Sequence, residues 1–353
     1  MPVAANVIFT YIRSMTVDLR SDTITRPTPG MLQAMMQAEL GDDVFGEDPS
    51  VNALELYAAN LFGMEAALFC ASGTMTNQIA IKCHTNPAEE VICDSQSHIY
   101  QYEGGGIAFN AGCQVKLIEG NRGRINAEQI AQHINPDDIH KAKSALVSLE
   151  NTSNRGGGSC YKMEDLLEIR DLCTQKDLRL HLDGARLFNA ILANNEDCAT
   201  YGNVFDSISV CLSKGLGAPV GSLLIGNKPF IHKARRMRKL MGGGMRQAGF
   251  LAAAGLYALQ NNISRLHEDH IHAQKIAAVL AQKNFVESIL PVETNIVIFK
   301  IKSSHTPKAI AETLEAKNIR TIIISPTQIR MVTHLDINRE MVDYTCGVIK
   351  NLQ

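Results

Sequence analysis

The stretch Phe205-Asp-Ser-Ile-Ser-Val-Cys-Leu-Ser-Lys214-Gly-Leu-Gly-Ala-Pro-Val-Gly221 reads as a buried strand running into a glycine-rich turn, with one lysine at the junction. Burial favours the neutral amine over the ammonium, and a neutral amine can form a Schiff base with an aldehyde. An isolated lysine at a strand end more often snorkels to water. A second stretch, Leu178-Arg-Leu-His-Leu-Asp183-Gly-Ala-Arg186, shifts the balance, because it ends another apolar strand on a carboxylate.

Outward from these two strands, strand-length apolar runs alternate with helical spacing. Strands are expected at 66–70, 90–93, 114–118, 145–149, 179–182, 207–212 and 222–226. Helices are expected at 29–40, 50–62, 74–83, 127–133, 163–175 and 245–259. Short buried runs separated by helices predict a largely parallel sheet covered on both faces. After about residue 265 the order changes to helix 273–282, strand 294–301, helix 307–317, strands 321–324 and 329–333, and helix 339–352. The fold class expected is α/β, with a mostly parallel sheet in a large domain and a smaller α+β C-terminal domain. The division expected is an N-terminal extension and arm at 1–30, a large domain at 31–265 and a small domain at 266–353.

Composition narrows the function classes. With 34 basic and 36 acidic side chains the formal charge is −2, so neither nucleic acid nor an anionic membrane is expected as a partner. No apolar run reaches the length of a membrane span. The nine cysteines form no Cys-x-x-Cys pair, which fits reduced thiols in a cytoplasmic protein rather than a zinc site, and no metal is expected. Residues 1–15 are apolar but lack the basic start of a signal peptide. They are expected to be a short extension, or to precede a start at Met15.

Four further positions supply chemistry. Ser72-Gly73-Thr74 lies between a strand and a helix, where free N–H groups and the helix dipole suit a phosphate, although such a triplet is usually only a cap. Asp183 stands where open α/β sheets bind ligands, and could hold a cationic ring nitrogen. Such a pair is worth about 4 kcal/mol at about 4 Å, before desolvation. His98 follows a strand and can stack on a ring or move a proton. Arg330 is a fork-shaped cation within an apolar strand, matched to a carboxylate. Each has a bland alternative on its own. Together they describe pyridoxal phosphate carrying an amino acid.

From Val17 nearly to its C-terminus, the chain resembles the low-specificity L-threonine aldolases, a fold-type I pyridoxal-phosphate family. The resemblance rests on Asp18-Leu-Arg-Ser-Asp-Thr-Ile-Thr-Arg-Pro27, Gly41-Asp-Asp-Val-Phe-Gly-Glu-Asp-Pro49, Ser72-Gly-Thr74, His181-Leu-Asp-Gly-Ala-Arg186, Leu212-Ser-Lys-Gly-Leu-Gly217, Gly242-Gly-Gly-Met-Arg-Gln247 and Arg330-Met-Val-Thr-His-Leu335. It implies that Lys214 links the cofactor, Asp183 pairs with the ring nitrogen and Arg186 faces the ring hydroxyl. Gly73 and Thr74 would hold the phosphate, and His98 would stack on the ring. Ser21, Arg186 and Arg330 would bind the substrate. His98 and His140 would be candidates for the base. Arg246 and Lys239 would reach the cofactor of a neighbouring subunit, in a homotetramer with sites at its interfaces. The activity implied is cleavage of threonine or allo-threonine to glycine and an aldehyde. β-Elimination and racemisation on the same scaffold are the alternatives. One departure is Ser153, where the family often has histidine after Glu-Asn-Thr.

Overall fold

The computed structural model describes residues 16–352; the expected extension at 1–15 lies outside them. Strand β1 (Val17–Asp18) stands apart from the main sheet. That sheet comprises β2 (Ala66–Cys70), β3 (Glu90–Asp94), β4 (Gln114–Ile118), β5 (Ser144–Glu150), β6 (Arg179–Gly184), β7 (Ser207–Cys211) and β8 (Ser222–Gly226). Their order is β2-β8-β7-β6-β5-β3-β4. Only β8 runs antiparallel to its neighbours. It follows β7 after residues 212–221, a connection without a helix that runs back beside β7, whereas the parallel strands have helical connections long enough to cross over.

Every residue of β3, β5, β7 and β8 is buried. Burial on both faces is why Val91-Ile92-Cys93, Ala145-Leu146-Val147 and Leu223-Leu224-Ile225 run unbroken, whereas Ser207 and Ser209 alternate with apolar residues in β7. Helices Gly73–His84, Met163–Gln175 and Lys228–Leu240 are among those packed against the sheet, and Gly249–Asn261 packs on Pro29–Met36 and Pro49–Leu61. The core runs from Met31 to Leu266.

A second sheet has the order β12-β13-β10-β9, built from β9 (Val286–Ile289), β10 (Ile296–Ile301), β12 (Ile322–Ser325) and β13 (Gln328–Val332). Strand β11 (Ile319–Arg320) pairs in parallel with β1. Val17 and Leu19 are fully buried in a core shared with Ala273, Phe299, Ile319 and Ile349. The segment entering the large sheet is thus tied first to the C-terminal part of the chain.

Helix limits differ from expectation at several places: the helix expected at 273–282 is Leu266–Leu280, and helices Leu187–Asn194 and Cys198–Val204 were not expected. The first helix is Pro29–Met36 and stops short of residue 40. The chain there folds back, with Ser50 Oγ donating to the Glu39 carbonyl at 2.8 Å. The Ala-rich helix starts at Gly249, whose N–H donates to buried Asp48 at 2.8 Å, so 245–248 form a turn instead. Helix Lys228–Leu240 has no counterpart among the expected elements. Its charges conceal an apolar stripe at Phe230, Ile231 and Ala234, and its Arg238 is buried against Asp43 at 2.6 Å and the Phe69 carbonyl at 2.7 Å.

Candidate active site

The C-terminal ends of the parallel strands carry the polar chemistry. Gly73, Thr74, Asn77, His98, Asp183, Cys211 and Lys214 line one cleft there, about 150 Å³ in volume. Strand β2 leads into helix Gly73–His84, capped by Ser72, whose Oγ accepts from the Met75 N–H at 3.2 Å. The N–H groups of Gly73 and Thr74 have no acceptor among the described residues, as in any first helical turn. A Cβ on Gly73 would lie 2.7 Å from Cys211 Sγ, so glycine is needed for this close approach. The result is an open anion cradle.

Lys214 lies in the turn joining β7 to β8. Its carbonyl accepts from the Gly217 N–H at 2.8 Å and from Thr25 Oγ1 at 3.1 Å, which fixes the turn. Gly217 has φ +81°, a left-handed conformation that glycine takes without penalty. Lys214 is half-buried, not buried as the sequence suggested, because its side chain borders the cleft rather than the core.

Asp183 is buried in β6. Its Oδ2 accepts from Asn77 Nδ2 at 2.9 Å and its Oδ1 from the Ala185 N–H at 3.1 Å. Asn77 Nδ2 also donates to Glu103 Oε1 at 2.9 Å, and His98 Nδ1 lies 3.0 Å from the same oxygen. Burial works against the His98 imidazolium. The Glu103 hydrogen bond, with the charges of Asp183 and Glu103, outweighs it and raises the histidine pKa. Glu150, at the end of β5, accepts from the His98 N–H and the Asn154 N–H, both at 2.8 Å. Burial, reinforced by the charge on Asp183, pushes its carboxyl up to about 7.

Two arginines belong to this neighbourhood. Arg186 is buried, with Nε and Nη2 each 2.7 Å from Asp22. Burial opposes the ionisation of Asp22, but Arg186 prevails and holds that carboxyl at about 2. Arg330, on β13, donates from Nη1 to Asn154 Oδ1 at 2.7 Å and from Nη2 to the Arg20 carbonyl at 3.2 Å. Its Nε is buried without an acceptor among the described residues. Burial, and then the charge on Arg186, lower its pKa to about 10.

Several residues chosen from the sequence sit elsewhere. His140 is not brought to the cleft of its own chain. It lies in the exposed turn just before β5, with Nδ1 2.9 Å from Asp138 Oδ1. The cleft is at the other end of that strand, roughly 20 Å away at about 3.3 Å per residue. Arg246 is also outside the cleft of its own chain, exposed, paired with Asp42 at 2.9 Å and over the Phe45 ring at 5.9 Å. Ser21 caps a short turn, its Oγ accepting from the Thr23 N–H at 3.2 Å. Ser153 is buried and accepts from the Gly156 N–H at 3.2 Å. Asp22, Asn77, Glu103 and Glu150 were not singled out from the sequence. Each bonds to residues distant in the chain, and no local spacing marks them. The one available signal was that Glu103 and Glu150 sit beside segments already of interest.

The beta-eliminating lyase family model matches residues 18–304. Low specificity L-threonine aldolase of Escherichia coli (strain K12) is 44% identical over 325 residues, 92% of this chain and 95% of that protein. This chain belongs to the low-specificity L-threonine aldolase family. A threonine aldolase structure from Leishmania major superposes with a TM-score of 0.82 at 22% identity, covering 95% of this chain and 98% of that one. A structure of SPT with PLP superposes with a TM-score of 0.75 at 15% identity, covering 95% of this chain and 86% of that one.

The fold of this aldolase is thus fold-type I, and pyridoxal phosphate is its cofactor. The residues present fit that group. The aldolase cleft joins a helix start with unpaired N–H groups, a buried carboxylate and a lysine amine. The buried, unpartnered Nε of Arg330 provides a donor for a carboxylate nearby.

Proposed function

We propose that this aldolase cleaves L-threonine, L-allo-threonine and related β-hydroxy amino acids to glycine and an aldehyde, using the cleft between the ends of β2, β6 and β7. The observation that carries the reading is the convergence of Lys214, Asp183, His98 and the open helix start at Gly73 on one small cavity. When bound, pyridoxal phosphate supplies a sink for the electron pair released as the Cα–Cβ bond breaks.

The chain's own residues do the rest. Lys214, whose side chain borders the cleft, would hold the cofactor covalently through Nζ. Gly73 and Thr74 bind the phosphate through backbone N–H groups. Asp183, kept in position by Asn77 and the Ala185 N–H, would hold a proton on the ring nitrogen. His98 would lie against the ring and accept the β-hydroxyl proton on Nε2, the ring nitrogen not engaged by Glu103. Arg330 binds the substrate carboxylate and so sets the angle of the breaking bond. Arg186 stands behind it, fixed by Asp22, with Nη1 making no hydrogen bond among the described residues and directed to the ring hydroxyl in this reading.

We also read the chain as a large lobe at 31–265 and a small lobe at 266–353, on the strength of two separate cores. A homotetramer with interfacial sites is supported by exposed Phe45, Phe109 and Ile139, and Arg246 and Lys239 would then act on a neighbour's cofactor. Nine free cysteines favour a reducing, cytoplasmic setting.

The test is release of glycine and aldehyde from L-threonine and L-allo-threonine, measured in parallel. Pyruvate and ammonia, or a D-amino acid, would instead identify elimination or racemisation. Lys214→Ala should lose both the visible absorbance of bound cofactor and turnover; a variant that keeps normal turnover refutes the assignment of Lys214.

A further inference from the structure

Glu103 follows the short helix His98–Gln101 and has a fully buried side chain. Its carboxylate gathers three contacts from two segments. His98 Nδ1 and Asn77 Nδ2 lie 3.0 and 2.9 Å from Oε1, and Gln78 Nε2 lies 2.6 Å from Oε2. The same Asn77 nitrogen is 2.9 Å from Asp183 Oδ2. One atom of each of His98, Glu103 and Asp183 therefore falls within 4.8 Å of the other two.

Two buried carboxylates this close repel each other, and desolvating each costs several kcal/mol. A neutral glutamine could anchor the turn without that cost. The anion does what an amide would not. It favours a proton on Nδ1 of His98, and a neutral imidazole protonated there leaves Nε2 as the lone-pair nitrogen. A carboxylate behind a histidine serves the same purpose in hydrolase triads. We propose that Glu103 is a positioning residue for the aldol cleavage, fixing the tautomer and orientation of His98 and tying it through Asn77 to Asp183. This rests on the function proposed above, with His98 as the proton acceptor.

The groups around His98 bear on its titration. Glu103 acts from its own segment, Glu150 from β5, Asp183 from β6 and Lys214 from the turn after β7. The Tyr102 ring lies 5.7 Å from the imidazole. Glu103 is the only one of these with a hydrogen bond to the ring among the described residues. Neutralising it should lower the His98 pKa by about one unit. The base is active when unprotonated, so the acid limb of kcat/KM should move to lower pH by a similar amount. Turnover should fall roughly 100-fold, the low end of what general-base catalysis contributes.

The experiment uses the full chain, with and without bound cofactor, as wild type, Glu103→Gln, Glu103→Asp, His98→Asn and the double variant His98→Asn with Glu103→Gln. Carbethoxylation of His98 against pH, followed by peptide mass spectrometry, gives its pKa independently of activity. The inference expects a lowered His98 pKa and a shifted acid limb in Glu103→Gln, both largely restored in Glu103→Asp. It also expects Glu103→Gln to add less than about 3-fold to the loss in His98→Asn, because coupled residues are not additive. Unchanged His98 pKa and turnover in Glu103→Gln, or full additivity, overturns it. If Glu103→Gln does not fold, the neutral variant Glu103→Met, of similar volume, decides: a normal rate with an unshifted His98 pKa in that protein sinks the inference. Wild type that releases no glycine refutes the proposed function, while the carbethoxylation series still judges whether Glu103 controls His98.

Discussion

Arg186 and Arg330 are both cations largely removed from water, yet their surroundings are opposite. Around Arg186, just after β6, the anion is already present: two 2.7 Å bonds join its guanidinium to Asp22. Around Arg330, on β13, the partners are an amide oxygen and a carbonyl, and Nε has none among the described residues. Burial depresses the second group to about 10, whereas the charge on Asp22 more than offsets burial at the first. A buried cation with its counter-ion supplied by the chain is a strut. A half-buried cation without one has a donor left over for a ligand that brings the charge.

The comparison can be broken most directly at Asp22. Asp22→Ala leaves Arg186 buried and uncompensated, and should cost about 3–5 kcal/mol of stability, read from denaturant unfolding. A loss below about 1 kcal/mol would mean that the pair is not a strut. At Arg330 the expected effect falls on binding. Arg330→Ala should raise KM for threonine roughly 100- to 1,000-fold, the scale of a lost buried charge pair, while the fold and the cofactor absorbance persist. An unchanged KM would remove Arg330 from the carboxylate site.

Glu150 sharpens the contrast, since it connects the His98 and Arg330 sides of the cleft through two backbone N–H groups and Asn154. Its carboxyl titrates near 7 in the folded chain against 4.5 ordinarily. Between those values the folded state holds a proton that the unfolded chain has released, so the wild type loses stability as pH rises through that window. Glu150→Gln removes this slope. In cofactor-free protein its stability relative to wild type should therefore improve from pH 4.5 to 7, by at most about 3 kcal/mol. Parallel pH profiles for the two proteins would contradict the assignment. The smallest effect is expected at His140, exposed and away from the cleft of its chain: His140→Asn should change kcat by less than about 3-fold. A larger loss would restore it as a participant.

Strands β2 and β8 have the limits expected from their apolar runs, because burial on both faces leaves a continuous signature. Gly73, Thr74, Asp183 and Lys214 were also legible, since each lies within a few residues of a strand end and strand ends are where α/β sheets bind ligands. Helix Lys228–Leu240 was not legible. Its buried Arg238 is compensated by Asp43, a partner distant in sequence, and nothing local reveals this. The position of His140, away from the cleft of its own chain, was not legible for a related reason. Resemblance supplies a residue type at a position, but not the edge of the sheet on which that position lies.

The sequence by itself determined the α/β architecture, the lysine turn and the carboxylate in β6, because periodicity and strand-end chemistry are local properties. Only the tertiary structure decided which polar groups stand behind them. Glu103 behind His98, Asn77 between Glu103 and Asp183, and Asp22 against Arg186 are pairings across the fold. Their energies depend on distance and burial, which no run of neighbouring residues encodes.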